Sequence, residues 1–354
     1  YKRQLYTFLQ FSELVIVDHL RSELVLISLI FLDGHNDIAT KYANATKNLH
    51  DLEDSLRKAT PVFLRDSSDA KAQFNSNISK SDFLSSVERA KEYVRKGDVF
   101  QVVVSQRFDQ EYSGDPLDIY RCLRAANPSP YMYLLRMHDA DGDFSVVGSS
   151  PEALIKVRGD RVITHPIAGS RPRGLDPLED VQMEKDLLGD EKERSEHLML
   201  VDLARNDLLR VCKPESLRVS EFMQVNRFSH IMHLSSTVEG ELKDGSTPVD
   251  ALLSTFPAGT LSGAPKPRAL EIISELEHSY RGLFGGVVGY FDFAGNADLA
   301  IAIRTAIVRD GVAHVQAGAG IVLDSQAEAE YQETLKKAEV VLKSVGRANA
   351  MRDE

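Results

Sequence analysis

Four glutamates in two predicted helical segments are the residues of this sequence best suited to chemistry. Glu193 and Glu196 lie three positions apart in DEKERSEHLMLVDLARND, and Glu330 and Glu333 lie three apart in DSQAEAEYQETLKKAEVV. Residues at this spacing share one face of a helix, and Lys337 follows Glu333 by four positions. Two such helices could hold a hard cation such as Mg²⁺ through oxygen ligands. A solvated acidic helix face has the same spacing, so both interpretations stay open.

Two clusters of small residues could bring backbone N–H groups close to an anion. VQAGAGIVLDS places Gly318, Ala319 and Gly320 between a predicted strand and a predicted helix. FPAGTLSGAPK places Thr260 and Ser262 before another predicted helix. Small residues permit the close backbone approach that an anion cradle requires. Tight turns use the same residues, so the pattern does not separate a cradle from a turn.

Three single residues have types suited to a polar site. Arg304 lies among apolar neighbours in LAIAIRTAIV, so its charge must be paired or must face a cleft. His233 alternates with apolar positions in SHIMHLSSTVEG, where a structural histidine is the simpler interpretation. Glu152 precedes a predicted strand in SSPEALIKV, and its local pattern assigns it no role. The residues alone thus indicate a protein that binds a small carboxylate together with Mg²⁺.

The composition is typical of a globular protein and disfavours several partners. The 354 residues are 43% hydrophobic and 27% charged, and the formal net charge is -11. Nucleic-acid binding needs a basic face, so that partner is not expected. The longest apolar run, residues 24–32, is shorter than the roughly 20 residues that span a membrane. Two distant cysteines outside any CxxC pattern fit a reducing compartment.

The elements that must position these residues are interleaved strands and helices. Helices are predicted over 35–59, 81–97, 117–126, 178–209, 265–277 and 326–346. Strands are predicted over 14–20, 24–32, 98–112, 131–137, 143–149, 153–159, 161–169, 218–222, 230–239, 286–293, 298–308 and 312–323. Many neighbouring strands are joined too tightly for helical crossovers, which favours antiparallel sheets and an α+β fold. The polar stretch 66–80 is a candidate linker, and we place a domain boundary near residue 80.

Ten segments resemble the chorismate-utilising enzymes and, within them, the large subunits of anthranilate synthases. They run in order along the chain and include GDVFQVVVSQRF, SSPEALIKV, HPIAGSRPRG and FPAGTLSGAPKPRALEIISELE. The resemblance covers about residues 81–346. It implies large antiparallel sheets packed face to face with helices outside. Residues 81–354 would form the chorismate-binding catalytic domain, and residues 1–80 would be a remnant of the family's N-terminal region.

Two positions bear on the reaction that the resemblance implies. Water-adding members have a lysine base where this chain has Gln101, and glutamine cannot act as a base. Aminodeoxychorismate synthases have a lysine in PIKGT where this chain has Ala168. The resemblance therefore implies Mg²⁺-dependent amination of chorismate with ammonia and elimination of pyruvate to give anthranilate, the first step of tryptophan biosynthesis. An aminodeoxychorismate synthase component and an inactive, incomplete polypeptide are the alternatives.

The resemblance also assigns a metal site. Glu196 and Glu333 match the Mg²⁺ ligands, with Glu193 and Glu330 beside them as water-mediated partners. The metal would hold the ring carboxylate of chorismate and offset its charge.

The catalytic and binding residues follow from the same matches. Glu152 matches the general acid that protonates the departing ring hydroxyl, and His233 would assist proton removal as pyruvate leaves. Gln101 completes the catalytic set. Phe284 stands where the family usually has tyrosine. The residues expected to bind substrate are Gly169, Ser170, Thr260, Ser262, Phe284, Arg304, Gly318, Ala319, Gly320 and Lys337.

Partners and regulation are implied by the resemblance alone. The family takes ammonia from a glutamine amidotransferase (glutaminase) subunit, so a hetero-oligomer is expected. Pro130, Tyr131 and Met132 resemble one half of a tryptophan feedback site, whose Leu-Leu-Glu-Ser half is not in this sequence. The chain is therefore expected to begin inside the family's N-terminal region. Because no signal peptide is recognised, a cytoplasmic location is predicted, or a plastid location in a plant.

Overall fold

The computed structural model describes residues 6–32, 37–58, 72–227 and 231–351. The chain divides into two compact units, residues 1–64 and 65–354. The domain boundary near residue 80 stays a prediction. Of the expected linker, residues 66–71 lie outside the described residues, and Asn75–Ser76 form a short strand.

The first unit contains a hairpin and a helix, as its sequence pattern predicts. Strands β1 (Glu13–Asp18) and β2 (Glu23–Ser28) pair antiparallel. Helix α1 (Ile38–Arg57) begins after Asp37, whose side chain accepts a hydrogen bond from the backbone N–H of Ala39. This N-cap satisfies one of the N–H groups that a helix start leaves without a partner.

The second unit contains long strands interleaved with helices. Its strands are β3 (Asn75–Ser76), β4 (Gln101–Glu111), β5 (Tyr131–Asp139), β6 (Gly142–Ser150), β7 (Ala153–Arg158), β8 (Arg161–Thr164), β9 (Ile167–Pro172), β10 (Arg218–Arg227), β11 (Ile231–Glu241), β12 (Gly263–Ala264), β13 (Val287–Phe291), β14 (Ala297–Ile301), β15 (Thr305–Arg309) and β16 (Val312–Ile321). Its helices are α2 (Lys80–Lys96), α3 (Pro116–Ala126), α4 (Pro177–Gly189), α5 (Glu191–Leu209), α6 (Pro248–Thr255), α7 (Gly259–Ser262), α8 (Lys266–Leu276) and α9 (Ala327–Ala350).

These strands form two seven-stranded sheets. Sheet I has the strand order β12-β4-β16-β15-β6-β5, with β3 paired to β4. Sheet II has the order β10-β11-β8-β7-β14-β13, with β9 paired to β11. The pairings between described strands are antiparallel in both sheets. The predicted α+β class with large antiparallel sheets is confirmed.

Each sheet buries one face beneath helices. Alternate residues of β16 are buried, as expected where one face of a strand meets a core. On sheet I, Phe108 and Val315 pack with α3 and α9, and Val104 packs with α2 and α8. On sheet II, Ile155 and Leu299 pack with α5 and α6. Among the described residues, no helix is long and apolar enough to cross a membrane.

Three predicted elements are interrupted, each at a residue with a physical reason. The helix predicted over 178–209 is two helices, because the Asp190 side chain caps the start of α5 by accepting from the backbone N–H groups of Lys192 and Glu193. The strand predicted over 298–308 is β14 and β15, which belong to different sheets and are separated by a left-handed backbone at Arg304 (φ 51°). Pro166 separates β8 from β9.

The cluster at residues 318–320 lies inside β16, in agreement with the strand predicted over 312–323, and does not form a turn. These residues pair with Ser105, Val104 and Val103 of β4 within β16. The strand continues because glycine and alanine leave room for close neighbours across the pair. A Cβ at Gly318 would lie 3.0 Å from Val103 Cγ1.

The chain passes between the two sheets through two short connections that touch each other. Pro151 and Glu152 join β6 of sheet I to β7 of sheet II, and residues 302–304 join β14 to β15. The backbone N–H of Ile301 donates to the Glu152 carbonyl at 3.0 Å. The Ser149 N–H donates to the Arg304 carbonyl at 3.1 Å. Two residues with predicted roles therefore lie on adjacent backbone segments.

Candidate active site

A carboxyl group with a raised pKa lies on the first of these connections. Glu152 Oε1 accepts a hydrogen bond of 3.1 Å from Thr260 Oγ1. Burial raises the pKa of Glu152 to about 7, although the Thr260 hydrogen bond and the charge of Lys337 act in the opposite direction. Such a carboxyl holds a proton near neutral pH and can donate it.

A pocket opens beside this carboxyl, between sheet II, α5 and the segment that precedes α8. Its polar side chains belong to Glu152, Thr164, His165, Asp207, Thr255 and Thr260. The remaining lining is Ala153, Leu154, Pro166, Leu200, Leu203, Ala204, Ala258, Gly259 and Ile301. A mainly apolar lining excludes water from the carboxyl, which is the physical origin of its raised pKa.

His233 lies on β11 opposite β9, next to the left-handed residue Gly169 (φ 74°). Its Nδ1 lies 3.2 Å from the Gly169 carbonyl oxygen. Because a carbonyl oxygen only accepts, Nδ1 carries the proton and the lone pair of the neutral ring is on Nε2. Burial lowers the pKa of His233 below its usual value; the Gly169 hydrogen bond acts in the opposite direction, and the charge of Arg304 lowers the pKa further. The ring is therefore neutral at pH 7 and is able to take up a proton.

The four predicted glutamates come together from two helices. Glu193 and Glu196 lie on α5, and Glu330 and Glu333 lie on α9. Burial raises the pKa of Glu196, and the negative charges of Glu193 and Glu333 raise it further. Burial also raises the pKa of Glu330, with a further contribution from Glu333. A bound cation would relieve this repulsion between like charges.

The donor set fits a hard divalent cation. Among the described residues, no three His, Cys, Asp or Glu side chains are gathered closely enough to hold a metal ion alone. Mg²⁺ commonly takes only one or two protein carboxylates and fills its other positions with water and substrate oxygen atoms. Two helices that each present carboxylates toward the other meet that requirement.

Two cations adjoin the carboxylates. Lys337 Nζ donates to the Gly318 carbonyl at 3.1 Å and pairs with Glu333 Oε1 at 2.5 Å. The Arg304 guanidinium donates to the Lys337 carbonyl, and burial lowers the pKa of Arg304 to about 10. The guanidinium remains charged at neutral pH. Both cations can therefore bind carboxylates. Their local positive charge would attract an anion that the net negative charge of the chain repels.

Gln101 lies in the core of sheet I, against Gly320. A Cβ at Gly320 would lie 2.1 Å from Gln101 Nε2, so a larger residue there would require the Gln101 amide to move. Gln101 is buried, and within the described part of the chain its Oε1 has no hydrogen-bond partner. The Ala319 side chain packs in the core, which leaves its backbone as the part able to meet a ligand.

Comparison with known proteins agrees with this arrangement. The family described as chorismate binding enzyme matches residues 1–343. The chain belongs to that family. Anthranilate synthase component 1 of Mycolicibacterium smegmatis is 56% identical over 295 residues, which are 83% of this chain and 56% of the relative. Anthranilate synthase component 1 of Aquifex aeolicus is 47% identical, over 98% of this chain and 70% of the relative.

A solved structure of a chorismate binding enzyme has the same fold. Anthranilate synthase component I from Streptococcus pneumoniae superposes with a TM-score of 0.84 at 42% identity, covering 94% of this chain and 72% of that chain. The chain spans little more than half the length of the Mycolicibacterium relative.

Several residues that the family resemblance predicts have other contacts here. The Ser262 hydroxyl is buried and donates to the Ala258 carbonyl at 2.8 Å. Phe284 packs against the sheet II core, beneath the Arg281 guanidinium at 5.5 Å. Ser170 is exposed, opposite His233 in the ladder. Their roles toward substrate stay predictions.

The residues that resemble half of a feedback site also have internal partners. The Tyr131 hydroxyl donates to Asp298 Oδ1 at 2.8 Å, and Lys156 Nζ lies 5.3 Å from the centre of its ring. Met132 packs against the sheet I core. Pro130 precedes β5. A tryptophan site at this position stays a prediction.

Sequence reasoning missed Arg171, which orients the acidic end of α5. Its guanidinium donates to Asp190 Oδ2 at 2.6 Å and reaches Glu193 Oε1 at 3.5 Å. The motif HPIAGSRPRG contains this arginine next to Ser170. An arginine beside a predicted binding residue was the available signal.

Proposed function

We propose that this chain is the catalytic region of an anthranilate synthase, which aminates chorismate with ammonia and eliminates pyruvate. The observation that carries the proposal is the Glu152 carboxyl, whose pKa of about 7 suits a general acid. The chain shares its family and its fold with proteins named anthranilate synthase component 1 or component I. Ala168, in place of the lysine of PIKGT, disfavours an aminodeoxychorismate synthase.

The two cations provide the binding step. Chorismate carries two carboxylates, and Arg304 would bind the one on the enolpyruvyl arm. Lys337 would support the ring carboxylate while it remains paired with Glu333. Gly318 and Gly320 would let the backbone of β16 approach the substrate. The remaining residues of the predicted set would line the pocket around these contacts.

Proton transfer by this chain's own residues would take place in two steps. As the ammonia nitrogen bonds to ring carbon 2, Glu152 would give its proton to the departing ring hydroxyl, which leaves as water. Ammonia needs no base to become a nucleophile, which fits Gln101 at the position of the lysine base. His233 Nε2 would then take the proton from the aminated carbon. The electron pair of that C–H bond would make the ring aromatic as the C–O bond to the enolpyruvyl group breaks, and the released enolate would take up a proton from water at its methylene carbon to become pyruvate.

The glutamates would hold Mg²⁺, with Glu196 and Glu333 as ligands and Glu193 and Glu330 acting through water. When bound, the ion would neutralise the ring carboxylate of chorismate and orient it. Burial and the negative charges of Glu193 and Glu333 raise the pKa of Glu196, which supports this placement because a cation would offset that repulsion.

A second component would supply ammonia. The word component in the names of the relatives supports a partner subunit. We propose that this partner is a glutamine amidotransferase and that the two form a hetero-oligomer in the cytoplasm. With an ammonium salt at alkaline pH, this chain would need no partner for turnover.

Anthranilate fluorescence tests the function directly. We expect signal from the purified chain with chorismate, ammonium salt and Mg²⁺, and its loss with EDTA. Glu152→Gln should lower turnover by about 10²–10⁴-fold, the usual contribution of a general acid. Glu333→Ala should abolish the response to Mg²⁺. Glu339→Gln is the matched control, because Glu339 is an exposed α9 carboxylate paired with Lys343.

The outcomes separate the alternatives. Accumulation of an aminodeoxychorismate species without anthranilate would favour the aminodeoxychorismate synthase. Absence of any product from a cooperatively folding sample would contradict the proposal and favour the inactive, incomplete polypeptide.

A further inference from the structure

One buried ion pair lies outside the predicted machinery. Lys266 Nζ donates to Asp207 Oδ2 at 2.6 Å, and the two side chains are only 10% and 9% exposed. The same ammonium donates to the Thr255 carbonyl at 2.7 Å. Stability alone does not explain such a pair, since apolar residues of similar volume commonly stabilise a core as well or better. Its directional bonds are what an apolar pair would lack.

The two acceptors of this ammonium, Thr255 and Asp207, lie near the ends of helices α6 and α5. Thr255 is the last residue of α6, and Lys266 is the first residue of α8. The bond between them therefore joins the two ends of the Phe256–Pro265 loop, the segment between α6 and α8 that contains the short elements α7 and β12. Asp207, near the end of α5, fixes these ends to the helix that packs on sheet II.

The tip of this loop meets the candidate acid. Thr260 lies in the loop and donates to Glu152 Oε1. A second anchor lies beside it, because Arg281 donates to the Leu261 carbonyl at 2.6 Å. The pocket described above is lined by both of these residues, Thr260 and Glu152, and also by Thr255 and Asp207. The Thr255 end and the tip of the loop thus border the same space.

We propose that Asp207 and Lys266 are a positioning pair: they fix both ends of the Phe256–Pro265 loop so that Thr260 donates to the Glu152 carboxyl. The catalytic consequence rests on the proposed function, whereas the effect on the carboxyl does not. Other charged or titratable groups that face Glu152 are Lys337 from α9 and His165 from the β8–β9 connection. A test must therefore separate positioning from the charges of Asp207 and Lys266 themselves.

The double variant D207L/K266M makes that separation. It removes one negative and one positive charge together, so the direct electrostatic effects on Glu152 largely cancel. An apolar pair also leaves no unpaired buried charge, which keeps the fold intact. Lys243→Met is the matched control, because Lys243 donates to the Leu209 and Arg210 carbonyls at the surface.

The readout is the titration midpoint of the Glu152 carboxyl, followed by ¹³C NMR of glutamate-labelled protein without substrate. Glu152→Gln identifies the resonance. Thr260→Val should raise the midpoint by about one pH unit, because a hydrogen bond that favours the charged carboxylate is lost. D207L/K266M should raise it by a similar amount, and Lys243→Met should leave it unchanged.

Combining the changes decides the route of the effect. If the pair acts through Thr260, adding Thr260→Val to D207L/K266M should give no further rise. An unchanged midpoint in D207L/K266M, or a rise that adds fully to that of Thr260→Val, would overturn the proposal. No turnover is needed for this measurement, so a negative fluorescence assay would leave its result intact.

Discussion

Arg304 combines two features that a purely structural arginine would avoid: a left-handed backbone and a buried guanidinium. Left-handed conformations of residues other than glycine are uncommon and carry a cost of order 1–3 kcal/mol. The strain is confined to the point where the chain leaves sheet II for sheet I. We interpret it as the cost of aiming this guanidinium at the site from a connection rather than from a strand face.

The strain at Arg304 can be measured with two small substitutions. The free energy of unfolding should be about 1 kcal/mol higher for Arg304→Gly than for Arg304→Ala, because glycine accepts a positive φ without strain. Both variants lose the same side chain, so the difference isolates the backbone. Urea unfolding with linear extrapolation provides the measurement.

A matched pair at Arg309 is the control, because this residue lies in the regular strand β15. There the sign should reverse, with glycine less stable than alanine by about 0.5–1 kcal/mol. The same order of stability at both positions would show that Arg304 stores no strain.

At the residue scale, sequence reasoning succeeded where the signal was local. The spacing of Glu193 and Glu196 predicts that they share a helix face, and the structure places them together on α5 facing the α9 glutamates. Glu152 gave no local signal, because burial by distant segments raises its pKa. Lys266 could not be assigned either, since its partner Asp207 lies 59 positions away.

At the scale of elements, the break between α4 and α5 determines where the acidic face begins. Asp190 caps α5 through the backbone N–H groups of Lys192 and Glu193 and also binds Arg171. The Asp190 side chain thus binds both the first turn of α5 and Arg171, which in turn contacts Glu193. The sequence pattern predicts one helix here because good helix formers such as Glu191, Lys192 and Glu193 follow Asp190 directly, and the cap is established only when its backbone partners are known.

Asp190→Ala should therefore have two effects, on stability and on metal binding. Loss of the cap should cost about 0.5–2 kcal/mol of unfolding free energy. Loosening of the first turn should also weaken Mg²⁺ binding, as measured by titration calorimetry.

Asp176→Ala is the control for this variant. Asp176 caps α4 in the same way, through the N–H groups of Leu178 and Glu179, and binds none of the four glutamates. We expect a similar loss of stability with unchanged Mg²⁺ affinity. Equal losses of affinity in both variants would mean that the effect is one of general destabilisation.

Strand interruptions were the other error at this scale. The apolar run on both sides of Arg304 is compatible with one long strand, and a local pattern carries no information on which sheet each half joins. The long helices were easier, because their ends carry recognisable signals. Gly97 ends α2 in a left-handed conformation, as the sequence predicts.

For the whole molecule, the proposed Mg²⁺ site would couple ligand binding to folding. If the four glutamates hold a cation, their mutual repulsion would make the metal-free fold less stable than the fold with the cation bound. A ligand that binds only the folded state adds about 2.7 kcal/mol at one hundred times its dissociation constant. We expect Mg²⁺ to raise the midpoint of thermal unfolding accordingly.

Removal of the ligands should abolish this effect. In Glu196→Gln/Glu333→Gln the metal-free protein should be at least as stable as the unmodified chain, and Mg²⁺ should no longer raise its midpoint. Glu339→Gln should respond to Mg²⁺ as the unmodified chain does. A persisting response in the double variant would place the ion elsewhere.

The two short connections that contain Glu152 and Arg304 have a mechanical consequence. Each connection is hydrogen-bonded to a strand that the other connection joins, because the Glu152 carbonyl accepts from Ile301 of β14 and the Arg304 carbonyl accepts from Ser149 of β6. A fluctuation that separates the sheets at this point would break both hydrogen bonds and displace Glu152 and Arg304 relative to each other. We therefore expect the contact between the sheets at these connections to be lost together with the site, and a ligand that binds both Glu152 and Arg304 to stabilise that contact.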